Sequence, residues 1–398
     1  MNETPASPLR FALAGMVAMA VAMGIGRFVY TPILPGMMEE LHLSAGDAGL
    51  IASSNYLGYL LGAFAAAGGW AHGRERIVML AALAASGVLA GAMGLTDSTL
   101  AFLVIRFLAG VASAFVIVFL AAIVFSHLAV AGRNGLQALH FSGVGLGIAG
   151  SSLMMALLVS THATWVAGWM IAAALSLVGF VITVLMIDRG PALTTGSGRE
   201  PALNWSAPLM KVTIAYGMFG FGYIVTATFL VAIVRQGGGS RTFEAMVWMV
   251  TGLAGMPSIW VWQKIAGKTG LYVAYALASL VEAVGVTASV AMSLPVGPLL
   301  GGFFLGCTFI AITALGLQAG RVLSPLAPRR AFALMTASFG IGQLIGPLVA
   351  GVLAERSGGS FFVPSIAAAI VLVISAVVVW SAGRDVKQQV QEEARSPT

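Results

Sequence analysis

The chain has 398 residues, 59% of them hydrophobic and only 9% charged, against about 25% charged in a soluble domain, so a water-soluble globular protein is excluded. Its net charge of +6 is spread between apolar segments and forms no single basic patch of the kind nucleic acid requires. Cys307 is the lone cysteine, which rules out a disulfide within the chain and a thiolate metal cluster.

A helix crosses the hydrocarbon layer with roughly twenty apolar residues. Stretches of that length recur twelve times, at residues 11–34, 46–70, 77–96, 99–125, 136–159, 164–187, 208–234, 243–263, 271–292, 296–320, 331–353 and 360–382. The first follows Arg10 as a signal peptide would, but its apolar run continues to Leu34 without a cleavage site and reads as a retained helix. With the amino terminus cytoplasmic, fifteen of the twenty Lys and Arg fall inside and only Arg235, Arg241 and Arg356 outside, which predicts both termini in the cytoplasm. The expected layout is an amino-terminal six-helix bundle (1–187), a Pro, Gly, Ser and Thr-rich cytoplasmic linker (188–207), a second six-helix bundle (208–383) and a polar tail (384–398). The tail is expected to fray, or to make a single helical turn along the surface.

The chain repeats itself. A shift of 196 residues lays GIGRFVYTPIL (24–34) over GFGYIVTATFL (220–230), and RFLAGVAS (106–113) over GFFLGCTF (302–309); a shift of 195 lays GLGIAGS (145–151) over GIGQLIG (340–346). These matches, at one offset near half the chain length, point to two six-helix halves in the same orientation. With GGWAHGRER (68–76) between spans two and three, RFLAG (106–110) in span four and GVGLGIAG (143–150) in span five, the chain resembles the major facilitator superfamily. GIGRFVYTPILPGM followed by ASSNYLGYLLGA (52–63) resembles its YbfB/YjiJ branch. His72 or Gly73 stands where the superfamily carries an acid, and span five lacks the usual proline. The resemblance implies an all-α membrane protein of twelve transmembrane helices in two pseudo-symmetric bundles, a monomer of the bacterial inner membrane, with its substrate held between the halves.

Two arginines lie inside spans, where each costs about 2.5–3.5 kcal/mol on insertion scales and needs water or partners. Arg27 stands seven residues before Leu34 and Arg106 seven after Thr99, so both sit at matching depth. In the resembled fold, helices one and four line the central cavity, which implies that both guanidinium groups face one aqueous space. There they would grip a carboxylate or another anion. The competing reading is an arginine bonded to carbonyls between helices, or a gating residue. Tyr30 and Thr31, at i+3 and i+4, are expected on the face of Arg27. The repeat mates of the two arginines are Tyr223 and Gly302, which confines positive charge to one wall.

Tyr216, Tyr223 and Thr226 make a polar stripe on span seven, and Asn55, Tyr59 and Gln343 are further candidates for ligand contact or for bonds between helices. Glu282, in mid-span nine, and His140, five residues into span five, are the candidates for carrying a proton, with packing as the competing role. Apart from Asp47, no acid lies in the amino-terminal spans, which favours an anionic over a cationic ligand. No histidine pair stands at metal-ligand spacing, no nucleophile and base cluster within spans, and GxxxxGK[ST] is absent, so neither an enzyme, a metal or other cofactor, nor a nucleotide-driven pump is expected. The expectation is a proton-coupled secondary transporter of a small organic anion or amphipathic metabolite, working in lipid. The alternatives are a multidrug exporter of neutral or amphipathic compounds and, from another class, a membrane sensor that transports nothing.

Overall fold

The computed structural model describes residues 7–68, 70–161, 163–188 and 200–395. Most of the expected linker, 189–199, and the last three residues of the tail lie outside them. Fourteen α-helices occur among the described residues: α1 (Pro8–Met19), α2 (Tyr30–Leu41), α3 (Ala45–Ala67), α4 (Glu75–Met93), α5 (Thr99–Val130), α6 (Gln137–Ser160), α7 (Trp165–Met186), α8 (Ala207–Gln236), α9 (Arg241–Gly255), α10 (Ser258–Thr269), α11 (Leu271–Ala291), α12 (Val296–Leu323), α13 (Pro328–Arg356) and α14 (Phe362–Arg395). Eleven spans are long and apolar enough to cross a bilayer, and the bent pair α9 and α10 supplies a twelfth. Ser44, Ser98, Ser206 and Ser240 begin α3, α5, α8 and α9 by accepting first-turn N–H groups, and Ser44 forms a full capping box with Asp47.

Two spans are not the continuous helices that apolar length alone suggests. Span one changes at Ala20 to a π-helical stretch, with Gly26 N donating to Val21 O at 2.7 Å and Phe28 N to Met23 O at 3.1 Å, and turns through residues 26–29 before α2 begins. Two features break it. Pro32 has no N–H for the carbonyl of Phe28, which accepts from Thr31 N at 3.2 Å instead, and Gly24 lies directly against the backbone of Gly147, a close approach no side chain could share. Span eight bends by 47° between α9 and α10, at Met256 and Pro257. The polar tail also departs from expectation. Among the described residues it is helical for more than one turn, because α14 continues to Arg395 through helix formers, tied to α8 by Lys211 Nζ donating to Asp385 at 2.6 Å.

The internal repeat survives as packing. Gly110 of α5 meets the carbonyl of Asn55 on α3, and Gly306 of α12 meets that of Thr251 on α9, each member 196 positions from its mate. Where the repeats meet, Thr31 Oγ1 donates to the carbonyl of Ala227, its own mate, at 2.6 Å. Contacts between the two sets of helices run mainly through α3 with α13, α6 with α9 and α2 with α8.

The face bearing the chain ends is here called terminal and the opposite one distal. At the terminal face Arg10 and Arg76 donate to the carbonyls of Leu185 and Ile187, satisfying the end of α7. Glu200 accepts the N–H groups of Arg329 and Arg330 at the start of α13. At the distal face Glu39 of α2 pairs with Arg235 of α8 at 2.9 Å and with Arg241 of α9 at 3.6 Å, while Gly46 N donates to Glu355 of α13 at 2.9 Å. Arg235 is held in place by a bidentate pair with Glu244, both bonds 2.6 Å.

Candidate functional site

The break in span one sets the site. With the ladder interrupted at residues 26–29, the carbonyls of Gly26 and Arg27 are left over, and Arg106 Nη1 and Nη2 donate to them at 3.1 Å each. The ring of Tyr30 lies under the same guanidinium at 5.1 Å. Asn55 Nδ2 in turn donates to the carbonyl of Arg106 at 2.9 Å. Arg106 thus spends two of its nitrogens on the backbone of the broken helix, bracing it, while its Nε is buried without a partner.

Arg27 is different. It is 2% exposed, and neither Nε nor Nη2 has a hydrogen-bond partner. Its guanidinium is instead sandwiched by rings, 4.6 Å from Tyr56, 4.7 Å from Tyr59 and 5.5 Å from Phe28. A desolvated cation–π contact is worth about 2 kcal/mol or more, which helps to keep the cation in place while leaving its donors free. Tyr30 and Thr31 do not share its face as unbroken helical spacing suggested. Tyr30 Oη donates to the carbonyl of Ala48 at 2.9 Å, and Thr31 reaches across to Ala227.

Opposite stands a wall from the second half. Tyr223 lies 5.7 Å from Phe339 with the rings 3° apart, and 5.9 Å from Phe309 at 10°. Phe28 meets Phe309 edge-on at 5.8 Å, so the wall touches the neighbour of Arg27 directly. Gln343 Nε2 donates to Tyr223 Oη, leaving Gln343 Oε1 and the hydroxyl of Thr226 buried without partners. Tyr216 extends the stack, 4.9 Å from Phe339, but its hydroxyl is spent on the carbonyl of Thr313 at 3.0 Å.

The remaining candidates stand apart. Glu282 is fully buried in α11 beside Thr308, whose hydroxyl is already committed to the carbonyl of Phe304 at 2.6 Å, and neither carboxylate oxygen has a hydrogen-bond partner among the described residues. Tyr275 connects this region to the aromatic wall through Phe219, edge-on at 6.4 Å. His140 fits against Gly15, between Phe125 at 5.2 Å and Phe141 at 5.0 Å, with both ring nitrogens unbonded. The described residues hold no cluster of three or more His, Cys, Asp or Glu able to bind a metal. Tyr56, Phe28, Phe309 and Phe339 were not singled out from sequence. The i, i+3 spacing of Tyr56 and Tyr59 could have marked the first, but nothing local distinguishes Phe309 and Phe339 among twenty-one phenylalanines.

A cation and an aromatic wall meet between repeated halves, and residues 19–380 match the family model described as uncharacterised MFS-type transporter YbfB. The chain belongs to this transporter family. None of the curated proteins matches it by sequence. Among solved structures, this transporter is similar to the nucleoside transporter NupG, with a TM-score of 0.73 at 14% identity over 94% of this chain and 99% of that one. It is also similar to a bacterial homologue of the human lysosomal transporter Spinster, in an inward-facing and occupied conformation, with a TM-score of 0.69 at 14% identity over 95% and 96%. Both likenesses bear on the major facilitator fold. This transporter is thus a multi-pass membrane protein that moves a small molecule through a lipid bilayer, and its family does not consist of enzymes.

Proposed function

We propose that this transporter carries a small organic anion by alternating access, coupled to proton movement, with 1–187 and 208–383 as the two rocking bodies, 188–207 as the linker and 384–398 as the tail. The observation that carries the anion is Arg27: a buried guanidinium with free Nε and Nη2, ringed by aromatic groups that hold it without using its donors. Tyr223, Thr226 and Gln343 orient the ligand from the other half. The polar contacts at Glu39, Gly46 and Thr31 support a state closed at the distal face. The charge asymmetry in sequence supports a cytoplasmic terminal face, and the family resemblance supports a monomer in the bacterial inner membrane.

The proton reading rests on Glu282, a carboxyl 0% exposed in α11 with Thr308 beside it, on the same helix as Tyr275, which meets Phe219 of the wall edge-on. Uptake of organic acids into proteoliposomes, with and without an imposed pH gradient, tests both parts. Arg27→Gln abolishes uptake under either condition, whereas Glu282→Gln leaves binding intact and removes the response to the gradient. Full transport by the Arg27→Gln protein defeats the anion reading; an undiminished gradient response in Glu282→Gln defeats the assignment of the proton.

A further inference from the structure

The aromatic wall narrows the ligand class beyond "organic anion". Phe219, Tyr223, Phe309 and Phe339 come from three helices, yet their planes are almost parallel: Phe219 to Tyr223 at 19°, Tyr223 to Phe309 at 10°, and Tyr223 to Phe339 at 3°. Rings that merely fill a core adopt edge-on and tilted geometries as readily as offset stacking. The N-terminal half shows that mixture, where Trp70 and Phe115 lie at 59° and Phe102 and Trp165 at 82°. In this closed arrangement the rings stack on one another, with Phe309 6% and Phe339 7% exposed; once they part, a flat guest entering between such plates keeps contact over its whole area, while a puckered ring of equal size does not. Polar groups with spare capacity lie beside the rings. Tyr223 interacts electrostatically with Arg27, whose Nε and Nη2 are unpartnered in a residue 2% exposed, and Gln343 is wholly buried with Oε1 unpartnered.

We infer that the substrate is an aromatic carboxylate whose ring lies parallel to Tyr223 and Phe339 while its carboxylate takes the free donors of Arg27. This rests on the anion reading above and adds the shape and aromaticity of the guest. The full-length purified protein is titrated in thermal-shift assays with benzoate, cyclohexanecarboxylate and benzamide, which separate planarity from charge at nearly constant size. Benzoate is expected to bind at least tenfold more tightly than cyclohexanecarboxylate, with no shift from benzamide. Phe339→Leu is expected to reduce that preference to less than threefold while retaining cyclohexanecarboxylate binding, and Phe309→Leu serves where the first variant does not fold. Equal affinities for the two acids overturn the aromatic inference and leave the anion reading standing. Benzamide matching benzoate overturns the anion reading as well, and no shift from any of the three overturns the inference.

Discussion

Arg27 and Arg106 meet at the same broken helix, yet their donors are employed in opposite ways. Arg106 closes the defect in span one by binding the carbonyls of Gly26 and Arg27. Each buried group left unsatisfied costs about 1–3 kcal/mol, so Arg106→Gln is expected to lower the thermal stability of the detergent-purified protein by several degrees. Arg27 has no such bonds to lose. Arg27→Gln loses the ring contacts but also the cost of burying a charge without hydrogen bonds, two effects that offset each other, so it is expected to change the melting temperature less than Arg106→Gln does, even as ligand-dependent stabilisation disappears. A larger loss of stability from Arg27→Gln than from Arg106→Gln would reverse these two roles. The tyrosines follow the same division: Tyr30 and Tyr216 bond to backbone carbonyls, whereas the hydroxyl of Tyr223 is tied only to Gln343.

At the scale of elements, glycines divide by what they face. Gly58 and Gly110 lie against the backbones of Phe107 and Asn55, and Gly143 against Met16, all joining helices of one half. Gly49 meets Pro347 and Gly145 meets Gly252, joining helices of opposite halves. Such approaches leave backbones in van der Waals contact with no room for a larger group. Leucine at Gly110 forces α3 and α5 apart and is expected to destabilise the fold by about 1–3 kcal/mol or more. Leucine at Gly252 disturbs a seam between the halves which, under the proposed alternating access, must part, so it should cost less thermal stability than leucine at Gly110 and abolish transport. Comparing melting temperature with uptake for the two variants checks this, and equal destabilisation by both would count against a mobile seam.

For the whole molecule, the distal face is held by few polar links. Glu39 is half exposed and pairs with Arg235 and Arg241, so its contribution falls in the range of about 0.2–1 kcal/mol typical of solvent-screened pairs. Glu39→Gln is therefore expected to raise opening of this face by up to about fivefold, with the effect shrinking at high salt. Ser53 reports it, being 1% exposed and bonded across the seam to the carbonyl of Leu344 at 2.8 Å. In a Cys307→Ser background, Ser53→Cys should react faster with a membrane-impermeant maleimide when Glu39 is replaced. An unchanged labelling rate would show that apolar seams, and not this ion pair, hold the face shut.

Apolar length, the offset of 196 residues and the motifs of spans one, two, four and five were sufficient to specify twelve spans, the repeat and the family, because each is written in residues close together or in a regular period. The same reading located Arg27 and Arg106 as the two cations that a bilayer tolerates only with partners. Which one is free depends on where span one breaks, and that is settled by Pro32, by the contact of Gly24 with Gly147 and by Arg106 arriving from α5. The aromatic wall also arises only in three dimensions, since Tyr223, Phe309 and Phe339 lie on separate helices and become parallel through packing. Hydrophobic periodicity encodes that a residue is buried, but not which distant ring it faces, and only the folded chain brings those partners within a few ångströms.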